Sequence, residues 1–501
     1  AAKIETNTSA ELSKLQQVFI DSLIEQYNAK TAKSKAYTQA NRKNLADPRV
    51  VTGFRPTTKE LTYQIVVERS KGSHMWDIDG NEYMDVLSGF GSNMFGNNPD
   101  FITKVLHEQL DKGCELGPQH VLAGEVTQLI CEMTGFDRAA LCNTGSEAVL
   151  GALRMARTVT GRSKVVMFSG SYHGINDEVI VRGSKKLKSF AAAPGIPAEA
   201  VANTLVLEYG TDESLKIIQE NIHELAAVLV EPVQSRRPDF RPVEFLQKLR
   251  TLTQDAGVAL IFDEVITGFR AHPKGAQGMF GIKADLATYG KVIGGGMPIG
   301  VMAGNERFMD SLDGGHWQFG NDSIPTIGVT YFAGTFVRHP LALAAAKASL
   351  QFLKSHNGSI QENLNQATAS MATAINTICQ QNNWPIEVKY FSSLFKIVYK
   401  QDILFSELLF TLMRLKGIHI MDGFPCFATT AHTPSDINQL INVFKESATE
   451  MAKAGFFGDT GGAKNLSVPP IEGARLGRAQ NGDPAWFIPD PDRPGKYLQI
   501  M

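Results

Sequence analysis

Between residues 9 and 45 the apolar positions Leu12, Leu15, Val18, Phe19 and Leu23 recur at helical intervals, and neither Gly nor Pro interrupts them. The stretch predicts an exposed amphipathic helix followed by a basic linker, either packed on the body of the protein or docking a partner. From Val66 to Val86 two short strands are predicted to flank Asp79-Gly80-Asn81, a good hairpin turn. From residue 139 the pattern changes again. Near-continuous apolar runs at 139–142, 164–168, 226–230 and 258–262 alternate with helical stretches. Such strands are buried on both faces, so they predict a mainly parallel sheet covered by helices, an α/β fold. A long Ala-rich helix from 341 to about 354 then opens a mixed region running to about 454, a smaller α+β domain. The tail, with Gly458-Asp-Thr-Gly-Gly462 and several prolines between 484 and 494, reads as an extended linker rather than core. The implied division is a helical extension at 1–45, a hairpin-bearing segment at 46–105, a large domain at 106–333, a small domain at 334–454 and a linker at 455–501.

Composition mostly excludes. A chain of 501 residues with 43% apolar and 20% charged positions suits two or three packed units. A net charge of −2 gives no reason to expect nucleic acid or an anionic membrane as partner. No apolar run is long enough to cross a bilayer. The five cysteines (114, 131, 142, 379 and 426) are scattered without a Cys-x-x-Cys pair, which argues against disulfides or a metal site and for a reducing cytoplasm. The start, Ala1-Ala-Lys-Ile-Glu5, has no signal-peptide pattern. It also lacks an initiating Met, which fits processing or excision from a longer polypeptide.

Candidate chemistry falls where strands of the presumed sheet end, the place where ligands gather in open parallel sheets. Asn143-Thr-Gly-Ser-Glu147 lies between a strand and a helix. Thr144 and Glu147 have the spacing of a capping box, so a well-made helix start accounts for it. The same geometry makes an anion site, with Gly145 allowing close approach and Ser146 offering a hydroxyl. Ser171-Tyr-His-Gly174 follows a second strand and is either a surface turn or an aromatic platform for a planar ring. Asp263 and Glu264 close a strongly apolar strand, where a charge is costly unless partnered. One carboxylate caps the next loop or pairs with a protonated ring nitrogen. Lys291 sits between a strand and the run Gly294-Gly-Gly296. A lone lysine is ordinarily a surface group, but one desolvated in a cleft has an available amine. Together the four supply a phosphate cradle, a stacking aromatic, an acid for a ring nitrogen and a nucleophilic amine, the parts a pyridoxal-phosphate enzyme needs.

These residues resemble the class III (fold type I) aminotransferases, and among them the glutamate-1-semialdehyde aminomutase branch. The likeness runs from about residue 55 to 433. It includes Gly72-Ser-His-Met-Trp-Asp-Ile-Asp-Gly-Asn-Glu-Tyr83, and Asp263-Glu-Val265 followed 28 residues later by Lys291. The resemblance implies pyridoxal 5′-phosphate as cofactor, held covalently by Lys291, which also moves the substrate proton. It implies that Asp263 keeps the ring nitrogen protonated, that Val265 and Tyr172 pack on opposite ring faces with His173 beside Tyr172, and that Gly145 and Ser146 hold the phosphate. Asn143 and Glu231 are further candidates around the cofactor. Thr335 matches a residue that reaches the phosphate of the neighbouring subunit, which implies a homodimer.

For the substrate, the resemblance points two ways. The C-terminal arginine of ornithine- and GABA-type members is missing from Phe424-Pro-Cys-Phe-Ala428. Arg55 stands 16 residues before Lys71, as a substrate-carboxylate arginine does in the aminomutase branch, so Arg55 with nearby Thr52 is the candidate donor site. The N-terminal extension, the loop at 311–325, Gln234-Ser-Arg-Arg-Pro238 and the tail look instead like the aminotransferase domain of hybrid polyketide synthase/nonribosomal peptide synthetases of the microcystin and iturin type. That likeness implies a donor such as glutamate, a β-ketoacyl chain on an acyl carrier protein as acceptor, and a tail leading to a condensation domain. A free-standing aminomutase and a non-catalytic scaffold of the same fold are the alternatives.

Overall fold

The computed structural model describes residues 12–51, 54–457, 474–478, 484–490, 493 and 495–500. Its centre is a seven-stranded sheet in the order Arg138–Cys142, Gly300–Gly304, Leu286–Tyr289, Ala259–Asp263, Leu225–Val230, Lys164–Phe168 and Thr204–Leu207. Only Gly300–Gly304 runs against the rest. The strand pattern explains why both faces are covered. Val228, Val230, Leu260 and Phe262 enter one core with the helices Val121–Thr134 and Val243–Asp255. Their neighbours Ala227, Leu229, Ala259 and Ile261 enter another, under the helix Gly145–Thr160. Alternation along each strand thus feeds two apolar layers.

The helix Pro340–Ser355 packs through Leu343, Ala346, Leu350 and Leu353 into the first of these cores. It therefore belongs to the large domain, and the boundary expected at 334 moves beyond residue 355. Its composition gave no sign of this, because an Ala-rich helix suits any close-packed neighbour.

The N-terminal helices, the segment through residue 86 and the small domain pack together rather than as three separate segments. The strands Val67–Lys71, His74–Asp77 and Glu82–Asp85 make an antiparallel sheet, one strand more than the hairpin predicted, and Ile418–His419 adds to it in parallel. The N-terminal helix Lys14–Lys30 starts at a capping box between Ser13 and Gln16 and buries Ile20, Leu23 and Tyr27. These join Met371, Ile375, Leu409 and Phe444 of the small domain in a single core. The expected basic linker is a second helix, Ala32–Asn41. Asp79 in the hairpin turn accepts hydrogen bonds from the N–H groups of Lys33 (2.6 Å) and Ser34 (3.0 Å), so it caps that helix from a distant part of the chain.

The tail also departs from expectation. Residues 458–473 lie outside the described residues. Beyond them, Arg475–Arg478, Pro484–Pro489 and Tyr497–Gln499 form an antiparallel sheet. Leu498 is buried, Ile500 bridges Ser184, and Asp490 pairs with Lys188 at 3.2 Å. Proline-rich composition hid these strands, but Trp486, Phe487 and Ile488 supply the strand pattern.

Candidate active site

The ends of five strands of the large sheet deliver the candidate residues to one edge. Asn143 through Ser146, Tyr172, His173, Glu231, Asp263, Val265 and Lys291 line a single cleft of about 280 Å³. Strand ends place them there because the sheet is parallel and its carboxyl ends share an edge.

Lys291 follows the strand Leu286–Tyr289 and opens a short 3₁₀ turn with φ 45°. Its Nζ donates to the carbonyl of Phe90 at 3.0 Å, and Phe90 itself has φ 55°. Burial pulls the Lys291 ammonium below its ordinary range; the carboxylates of Asp263 and Glu231 oppose this and the Arg270 guanidinium adds to it. The amine is thus poised to shed its proton.

Asp263 ends the buried strand Ala259–Asp263. One oxygen accepts from the His173 Nδ1–H at 2.7 Å, and the other accepts from the Val265 N–H at 3.1 Å and the Thr288 hydroxyl at 3.2 Å. Nδ1 must carry the proton, since a carboxylate only accepts. His173 Nε2 is then a buried polar atom without a partner. Glu264 turns the other way, accepting from the N–H groups of Ala276 and Gln277, both at 2.9 Å, and from the Thr267 hydroxyl. The two readings of the charged pair are divided between its members: Asp263 faces the cleft and Glu264 caps the next helix. Glu231 accepts from the N–H groups of Ser235 (2.8 Å) and Tyr172 (3.2 Å), and burial pushes its carboxyl up.

Thr144 caps the helix Gly145–Thr160 by accepting from Glu147 N–H at 3.2 Å, while the Glu147 carboxylate receives the Asn143 N–H at 2.6 Å. A first helical turn has N–H groups to offer an anion. A Cβ on Gly145 would lie 2.9 Å from both Val265 methyl carbons, and one on Gly174 would lie 2.3 Å from Ser146 Oγ. Only glycine permits these approaches, and they leave the first helical turn open to an anion such as a phosphate.

Arg55 and Thr335 are not among the residues lining this cleft. Arg55 is paired with Glu407 at 3.1 Å and lies over the Phe405 ring. Glu407 is buried enough for its carboxyl to be pushed up, with Arg55 opposing, so the guanidinium is committed within the small domain. Thr335 is exposed, and Thr52 lies outside the described residues. Sequence reasoning missed Thr288 and Phe90. Thr288 was legible in principle, as the parallel neighbour of Asp263 across the strands. Phe90 contributes only its backbone, whose left-handed turn within Ser88-Gly-Phe-Gly91 left no side-chain signal.

The family pattern Aminotransferase class-III matches residues 56–424. The chain belongs to the class-III aminotransferases. A glutamate-1-semialdehyde 2,1-aminomutase of Staphylococcus aureus (strain Newman) is 33% identical over 414 residues, covering 78% of this class-III aminotransferase and 92% of that protein. A transaminase solved with PLP bound superposes with a TM-score of 0.74 at 26% identity over 85% of this chain and 99% of its own. A β-phenylalanine aminotransferase from Variovorax paradoxus gives 0.74 at 25% identity, covering 87% and 98%. These likenesses place the class-III aminotransferase in the fold type I architecture.

Proposed function

We propose that this chain uses pyridoxal 5′-phosphate to transfer an amino group from glutamate to the ketone of a β-ketoacyl thioester on an acyl carrier protein, as the aminotransferase domain of a hybrid polyketide synthase/nonribosomal peptide synthetase. The observation that carries the catalytic part is the Lys291 amine, buried in the same cleft as Asp263 and lowered in basicity there. When bound, the cofactor supplies an aldehyde for amines and an electron-poor ring. Gly145 and Ser146 would hold its phosphate, and Val265 and Tyr172 would line the ring's place in the cleft. Asp263, held by His173 and Thr288, keeps a negative charge at the ring nitrogen. Lys291 takes the proton from the donor α-carbon and returns one to the acceptor carbon. Glu231 and Asn143 shape the rim, and Arg55, the candidate for the donor carboxylate, is paired with Glu407 in this structure.

The acceptor assignment is supported by the absence of any arginine at 424–428, which suits a neutral thioester, and by likeness to an enzyme named for a β-amino acid. A homodimer is supported by the loop carrying Thr335, where Phe319 and Tyr331 are 92% and 78% exposed and a second copy would cover them. The second reading, an aminomutase, is favoured by the relatives at 33% identity.

Glutamate added to the holoenzyme should bleach the cofactor's visible band and release 2-oxoglutarate. Borohydride should fix the cofactor to Lys291, and Lys291→Ala should abolish that fixation and slow turnover by about 10²–10⁴. Formation of 5-aminolevulinate from glutamate semialdehyde, without 2-oxoglutarate release from glutamate, would select the aminomutase. Full turnover by Lys291→Ala would end both readings.

A further inference from the structure

Behind the Tyr172 wall of the cleft lies a second cavity of about 190 Å³, which shares Tyr172, His173 and Gly174 with the first. Arg182 and Arg236 are also among its walls. Arg182 comes from the strand Val181–Gly183, and Arg236 from the turn after Glu231-Pro-Val233. Neither guanidinium is paired with a carboxylate among the described residues, and the Arg182 Nε is buried with no hydrogen-bond partner. Burial and the like charge of Arg236 both disfavour the Arg182 cation. Lys396 of the small domain is held down by burial and then by Arg236, with Asp422 opposing. Arg182 and Arg236 thus line one cavity with like charge near Lys396, and no carboxylate among the described residues pairs with either guanidinium. An oxyanion between the arginines would offset that like charge, through the charge-assisted hydrogen bonds a guanidinium fork makes.

We propose that Arg182 and Arg236 form an anion subsite that binds a carboxylate or phosphate of a reactant while its reacting end lies in the cofactor cleft. The reading of amino transfer decides only which anion arrives: the second carboxylate of a dicarboxylic donor, or the phosphate of the carrier protein's phosphopantetheine arm. Arg182 and Arg236 line the cavity that shares Tyr172, His173 and Gly174 with the cleft.

The test is calorimetric titration of the holoenzyme with glutarate and, separately, with 4′-phosphopantetheine, repeated on Arg182→Gln and Arg236→Gln. At least one probe should bind the native protein, with Kd rising tenfold or more in either variant. Arg236 is exposed, so Arg236→Gln does not put folding at stake. A donor subsite predicts that glutarate responds and that KM rises about tenfold more for glutamate than for alanine. A carrier-arm subsite predicts that phosphopantetheine alone responds. Binding of neither probe, or binding indifferent to both arginines, overturns the subsite. Borohydride fixation at Lys291 in the same preparations is independent of this result, so its failure would strike the amino-transfer reading and leave the titration standing.

Discussion

Lys291 and Phe90 are two non-glycine residues with left-handed backbone, and the hydrogen bond between them joins the two strained points. Such residues cost on the order of 1–3 kcal/mol each and persist where packing over-determines them. Here the constraint aims an amine into a cleft. Gly145 is set by a different limit, the 2.9 Å that a Cβ would leave to Val265. Gly145→Ala should displace Val265 and weaken cofactor binding by about 1–3 kcal/mol, read by titrating the apoenzyme with cofactor. An unchanged affinity would mean that the close approach serves packing alone. The residue types at these positions were legible in the sequence, because Gly, Lys and Asp at strand ends are costly without a use. The partner of Arg55 was not, since Glu407 is remote in the chain.

The N-terminal helix packs on the body, one of the two placements its pattern allowed, and joins the core of the small domain. Its period was evident, but the exposed Leu15 and Val18 share the pattern with the buried Leu23. Leu23→Ala should cost about 2–5 kcal/mol in denaturant unfolding. A loss under 1 kcal/mol would return the helix to the status of a peripheral attachment. The helix Gly275–Phe280 makes a second case, because Glu264 caps it from the preceding strand end. Burial pushes the Glu264 carboxyl from 4.5 up to about 7, against the pull of its three donors. An acid raised on folding contributes stability in full below pH 4.5 and loses it as pH rises through about 7. The native protein should therefore lose on the order of 3 kcal/mol between those limits, and Glu264→Gln should flatten that slope. An equal fall in urea-derived stability between pH 5 and pH 8 in the native protein and in Glu264→Gln would remove Glu264 as its source.

At the scale of the molecule, Arg270 joins the two domains. Its fully buried guanidinium donates to Gly91 O at 2.6 Å, to Ser393 Oγ at 2.9 Å and to Ala428 O at 3.3 Å, and it lies over the Phe427 ring. Arg270→Met would strand these acceptors and should lower stability by about 3 kcal/mol. It would also remove a charge that pulls Lys291 down, so the acid limb of the rate–pH profile should move to higher pH. A limb that stays in place would show that Arg270 does not tune the amine.

The parallel sheet and the order of chemical groups along its edge were determined by the sequence alone. Runs of apolar residues at strand length, each followed by a turn, admit few other arrangements, and a parallel sheet aligns its carboxyl ends. Only the tertiary structure decided that Asp263 rather than Glu264 faces the cleft, that Arg55 is taken by Glu407, and that the N-terminal helices complete the small domain's core. Those outcomes depend on which remote surfaces come together, and local periodicity carries the shape of an element but not the identity of its neighbour.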